Sequence, residues 1–386
     1  MNLDMQELKT KLAKFKVYDA WQYAESLAQT VLFMNTSYAL ILKVYEHYTT
    51  TLQAVSQEII QKAFENQGKP SPLTRQHLSR ARLDIAGYEI RDEVFLSKTL
   101  IEFFHYARLS LDVLYQIINA ALLGDEGVDA TKSMFPSQVL KKLNASGRFS
   151  RLCKVLESGI SDATIEYLLN FDNYTKHIRT ILPFLQQEIF FGNKSTFEIK
   201  SFVYKKKTYP AIDAIQMISS VKEATTDIIE KAINELIGQI PNGVGTSRRY
   251  QDVKFRILTK ENEGVITGFE YVAFFIEVES SLSELLDTIQ VMPLIIKPNG
   301  EIYSFILKIN EIFISIRDKY EAGIIGIATA KQIENSSEWY RTYQIRPCDS
   351  SEFFRYYSTF STKYPHLNIN YHAMEGQLIA IPDESK

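Results

Sequence analysis

The feature that most constrains this chain is a change of hydrophobic period at Pro241-Asn242-Gly243-Val244-Gly245-Thr246-Ser247. Before it, apolar residues recur at steps of three and four, the repeat of one helical face. After it they alternate, or run in β-branched and aromatic blocks, as strands do. A single core does not serve both patterns equally, so the 386 residues divide. The expected architecture is multidomain: an N-terminal all-α helical bundle over 1–240, a linker at 241–247, and a C-terminal α+β domain over 248–386.

Within the first part, Leu8, Leu12, Phe15, Tyr18, Trp21, Ala24, Leu27 and Val31 predict a helix over 6–30. Leu40, Val44, Tyr48, Leu52, Val55, Ile59 and Ala63 predict a second over 32–66, ended by Gly68-Lys69-Pro70-Ser71-Pro72. A charged, solvated helix is expected over 73–94. The stretch 95–123 is apolar on nearly all sides, which places it in the middle of a bundle. Further helices are predicted at 136–145 and 162–188, the second capped from Ser161-Asp162-Ala163-Thr164. A short extended element at 194–204 and a helix at 211–238 complete the bundle. In the second part, strands are expected at 253–257, 265–278, 293–297, 303–309 and 324–328, with a turn at Pro298-Asn299-Gly300. Helical stretches at 280–289 and 350–362 interrupt them.

Totals exclude several classes. With 45% hydrophobic and 23% charged residues the composition is that of a globular chain, neither collagen-like nor disordered. Cys153 and Cys348 stand alone, and no Cys/His cluster occurs, so no metal site is expected and the thiols read as reduced. No signal peptide and no uninterrupted apolar run of bilayer length is visible, so the expectation is a cytoplasmic chain with no membrane partner. The net charge of −3 supplies no basic field, and strong DNA binding is not expected. Any nucleic-acid contact must be local. No P-loop, GxSxG elbow or HExxH occurs, and no cofactor is expected.

Two polar groups interrupt the apolar helices. His105, Arg108, Asp112, Gln116 and Asn119 are spaced by three and four residues, along one line of the central helix. Arg108 and Asp112 form an i, i+4 pair. A polar line on an apolar helix must be paired or wet. It either lines a cleft or fixes bundle register through an internal network. On the later helix, Asn173, Lys176 and His177 fall within one turn. A lysine and a histidine there suit phosphate contact and proton transfer; a solvated or capping turn is the plainer reading. Lys205-Lys206-Lys207 reads as a solvated turn. Trp339-Tyr340-Arg341-Thr342-Tyr343 and Phe353-Phe354-Arg355-Tyr356-Tyr357 interleave aromatics with arginine. That composition serves base stacking, a protein interface or plain core.

The two groups together, Arg108-Leu-Ser-Leu-Asp112 with Gln116-Ile-Ile-Asn119, then Asn173-Tyr-Thr-Lys176-His177, resemble the HEPN-type helical domains of prokaryotic defence and toxin systems over about residues 75–238. That resemblance implies a protein that acts on or binds RNA, in some members as a dimeric, metal-independent endoribonuclease. It would make His177 the catalytic acid/base, give Lys176, Arg108 and Asn173 to RNA binding, and have Asp112 orient Arg108. The family's Arg-x4-6-His pattern is absent: Asn170, Phe171 and Asp172 occupy the positions where its arginine would precede His177. The alternative is a noncatalytic scaffold or regulatory subunit that self-associates or holds a partner protein through its bundle and α+β domain.

Overall fold

In a computed structural model the chain is described over residues 5–65, 81–129, 135–187, 195–244, 251–262, 265–296, 302–304, 310–330, 341–353 and 370–382. It divides into two compact units, Met1–Arg248 and Arg249–Lys386. The first is a long helical region and the second a mixed sheet with a little helix.

Two helices open the first unit: α1 (Met5–Lys14) and α2 (Tyr18–Glu65). The sequence pattern places a helix break near residue 31, but the break lies at 15–17. There Lys16 takes a positive φ of 58° and the chain reverses. From Tyr18 to Glu65 there is neither glycine nor proline, so nothing interrupts α2. Its buried line runs through Trp21, Leu27, Met34, Ile41, Tyr48, Leu52 and Ile59. By length and composition α2 would also satisfy a membrane span, although part of its surface is buried within the protein.

Of the helix expected over 73–94, only 92–94 are helical among the described residues; 82–91 form a hairpin, β1 (Arg82–Ile85) and β2 (Tyr88–Arg91). Ala86 and Gly87 both take positive φ, the geometry of a tight hairpin turn, and Asp84 Oδ1 accepts the Gly87 amide at 2.7 Å. Residues 73–80 lie outside the described part.

Helix α3 (Asp92–Ile118) is the central rod. Leu96, Leu100, Phe103, Phe104, Ala107, Leu114, Ile117 and Ile118 are almost wholly buried, each large apolar side chain contributing roughly 1.5–3 kcal/mol. It widens into a π-helical turn at Asn119–Leu123. Helices α4 (Phe135–Ser146), α5 (Ser150–Ile160), α6 (Ala163–His177) and α7 (Ala214–Gln239) complete the bundle. Asp162 caps α6 by accepting the Thr164 and Ile165 amides at 2.8 and 3.1 Å. Helix α6 ends at His177, well short of 188. The following residues lead into β3 (Phe184–Gln187), which pairs with β4 (Ser195–Ile199). β5 (Phe202–Tyr204) and β6 (Lys207–Tyr209) form a hairpin turning at Lys205-Lys206. β7 (Ile212–Asp213) pairs with β4 and leads into α7, whose cap is Asp213.

The second unit is one sheet in the order β11-β10-β14-β13-β12-β9-β8-β15. Its strands are β8 (Gln251–Asn262), β9 (Val265–Val278), β10 (Thr288–Ile296), β11 (Ile302–Ser304), β12 (Glu311–Ile316), β13 (Ile324–Ala330), β14 (Arg341–Pro347) and β15 (Asn370–Pro382). Every pairing is antiparallel except β9 with β12. β10 also pairs with β15, which brings the far edge of the sheet back to it and closes the strands into a barrel. The helix expected at 280–289 is a single 3-10 turn at Leu282–Glu284, and three residues separate it from β10. Of the helix expected at 350–362 only its start, 350–353, is described, and Pro298-Asn299-Gly300 lies outside the described residues. Successive residues of β12, Ile312, Phe313 and Ile314, are all buried because both faces of the sheet are covered. Ile312 and Ile314 join Val253, Ile276, Val291 and Tyr343 on one side. Phe313 joins Phe275, Ile327 and Phe353 on the other.

Candidate functional site

The polar line of α3 splits into three environments. Asn119 is structural. Its amide donates to the Val128 carbonyl at 3.0 Å and accepts the Val128 amide at 2.8 Å, clamping the loop after the π-helical turn. Gln116 is half-buried.

Arg108 and Asp112 make the expected intrahelical pair, with Nε donating to Oδ2 at 2.9 Å. They stand at the wall of a small cavity with Leu111 and Tyr115 of α3, Leu156 and Ile160 of α5, and Leu169 of α6. Its volume is about 40 Å³, room for a few waters and far below the several hundred Å³ of a ligand pocket. Burial lifts the Tyr115 phenol above its ordinary pKa, with Arg108 pulling the other way. This arrangement suits a register-fixing pair better than a nucleotide site.

His105, one turn earlier, meets α6. Its Nδ1 lies 3.5 Å from Asp172 Oδ1, without the alignment of a hydrogen bond. Asp172 is buried, and its other oxygen takes Lys176 Nζ at 2.7 Å. One buried carboxylate thus joins an imidazole from α3 and an ammonium from α6. The imidazole and the ammonium each keep about 41% of their side-chain surface in solvent. His177 follows as an exposed residue at the end of α6, and Asn173 is half-buried one turn before it. Lys176 and His177 also lie in the last turn of α6, where the carbonyl ends of the helix favour positive charge.

The structure therefore brings the two segments together at Asp172, and not through Arg108. Leu169, which shares the small cavity with Arg108, precedes His177 by eight residues, about 12 Å along the helix. His177 does not line that cavity. Asp172 was not singled out by its spacing. Its signal was the i, i+4 relation to Lys176, readable in the sequence once α6 is known to be helical there.

A second pair escaped the sequence reading. His47 Nδ1 on α2 lies 2.8 Å from Oδ2 of Asp92, the first residue of α3. Asp92 is wholly buried and its Oδ1 has no hydrogen-bond partner. Burial raises its pKa, opposed by the His47 hydrogen bond. Nothing in the local sequence marks this contact, because it joins residues 45 positions apart.

Of the lysine run, Lys207 bonds Glu166 at 2.7 and 2.8 Å, while Lys205 and Lys206 form the exposed turn. Of the arginine-aromatic segments, Tyr343 and Phe353 are core residues; Trp339, Tyr340 and 354–357 lie outside the described residues. Among the described residues no group of three metal-ligating side chains occurs. Compared with protein-family models, curated proteins and solved structures, the chain matches none.

Proposed function

We propose that the helical unit is a HEPN-like, RNA-contacting module of a prokaryotic defence or toxin-type protein, and that RNA meets it at the end of α6. The observation that carries this reading is the meeting of His105, from the polar line of α3, with Asp172 and Lys176 of α6, beside Asn173 and the exposed His177. Lys176 supplies a cation for a phosphate, Asn173 an amide for a sugar or base edge, and His177 an exposed imidazole. The chemistry open to such a group is metal-independent transesterification. An imidazole removes the 2′-hydroxyl proton, the 2′-oxygen attacks phosphorus, and the 5′-oxygen leaves with a proton. His177 is the proton-transfer group in this scheme.

The missing arginine upstream of His177 favours a second reading, a noncatalytic member that binds RNA or a protein partner. Incubating the full chain with total RNA in a chelator separates the two. Cleavage leaving 2′,3′-cyclic phosphate ends, abolished by His177→Ala, supports the enzyme. Intact RNA with measurable binding supports the noncatalytic member. Intact RNA without binding overturns the RNA reading.

A further inference from the structure

Outward faces of the bundle helices carry charges. Arg151, Lys154 and Glu157 stand on α5, and Glu223, Asp227 and Lys231 on α7. The middle of α2 is the exception. From Ser26 to Leu42 there is no charged residue, yet one side of this stretch faces solvent. Gln29, Leu32, Thr36, Ala39 and Leu40 fall on one face at helical spacing, with Leu32 58% and Leu40 41% exposed. Leucines left in water on a charge-free helix face form the kind of patch that marks an interaction surface.

Charge at the two ends of this face identifies the occupant. Glu25 precedes it and Lys43 follows it, on the same side of the helix and about 27 Å apart. We propose that this face of α2 is a self-association surface, on which α2 of a second copy of the chain lies antiparallel. A two-fold axis crossing the exposed face between Leu32 and Thr36, level with the buried Met34 on the other side of the helix, sets Glu25 of each copy against Lys43 of the other, and Gln29 against Ala39. It also sets Leu32 against Thr36, so that large meets small across the contact. A two-fold interface must be complementary to itself, and opposite charges at opposite ends of an uncharged face meet that condition. Glu25 already touches Lys9, and Lys43 lies 3.3 Å from Glu46. Each end of the pair would therefore hold two acids and two bases. The inference does not depend on the RNA reading.

The test is the mass of the full chain by sedimentation equilibrium over a dilution series reaching about 100 µM, a range that registers weak association. The wild type is expected to form a dimer that dissociates on dilution. Leu40→Glu, an exposed position whose fold is checked by circular dichroism, should weaken association at least tenfold. Glu25→Lys and Lys43→Glu should each weaken it, and the double exchange should restore it. A wild-type monomer throughout, or a dimer indifferent to Leu40→Glu, overturns the proposal. Failure of the double exchange to recover association overturns the antiparallel arrangement. Flotation of the wild type with lipid vesicles, lost in Leu40→Glu while the protein stays monomeric, would assign the face to a membrane instead.

Discussion

Two carboxylates make opposite use of their surroundings. Asp92 is sealed at the start of α3, and burial raises its pKa. A raised carboxylate gives stability that is full below the unfolded value of 3.8 and is lost as pH rises through the folded one. Wild type should therefore gain on Asp92→Asn as pH falls from about 7 to about 4, measured by urea unfolding. Repeating the pair in a His47→Gln background removes the imidazole contact that opposes the rise; a gap that widens with rising pH would contradict this account. Glu284 is the reverse case. Its carboxylate accepts the amides of Glu279, Ser280 and Ser281 at 2.8, 2.7 and 3.0 Å, which hold its pKa down at about 2. That stability is present above the unfolded value of 4.5 and is lost as pH falls through about 2. Glu284→Gln should lower the melting temperature at neutral pH, with the deficit shrinking between pH 5 and 2. An unchanged deficit would show that the side chain acts by shape alone. At this scale the sequence was partly readable. Arg108–Asp112 followed from spacing, whereas Asp92–His47 and His105–Asp172 needed helices from distant segments to be placed side by side.

Elements were legible where one period ran unbroken, as in α3 and α7, and misread where a short-range signal was mild. Ala86-Gly87 made a hairpin inside a stretch whose charge pattern resembled a solvated helix, and Lys16 reversed the chain without a glycine. Glycines also mark packing that periodicity does not reveal. Gly159 on α5 faces Ile228 on α7, where an added Cβ would stand 2.9 Å from Cδ1. Gly243, in the stretch that looks like a linker, lies against the Ala121 carbonyl, which a Cβ would strike. Gly159→Ala should cost about 1 kcal/mol, overpacking outweighing the gain in helix propensity. Ile228→Val in the same chain should relieve part of it. Gly243→Ala should cost about 3 kcal/mol, because a backbone carbonyl cannot rotate away as a side chain can. Chemical denaturation of the helical unit, followed at 222 nm, ranks the two; equal or reversed costs would contradict the packing described.

At the scale of the whole molecule, the order of a helical region followed by a sheet-rich one was visible in the change of period. The closure of the sheet was not, since β10 meets β15 across 81 to 93 residues, as in Ile296 with Gln377 and Ile289 with Pro382, and strand pairing of that range leaves no local mark. The same scale bears on function. With a net charge of −3, the proposed RNA contact would rest on a local group and not on the field of the protein. The most direct test is the affinity of a fluorescent single-stranded RNA for the full chain at several salt concentrations. Lys176→Gln, with its fold verified, is compared with Lys205→Gln and Lys206→Gln in the exposed hairpin. If the end of α6 is the RNA site, Lys176→Gln weakens binding and lowers the salt slope by about 0.7, while the hairpin variants leave both nearly unchanged. Loss of binding in the hairpin variants with Lys176→Gln unaffected, or no binding by the wild type, would contradict the account.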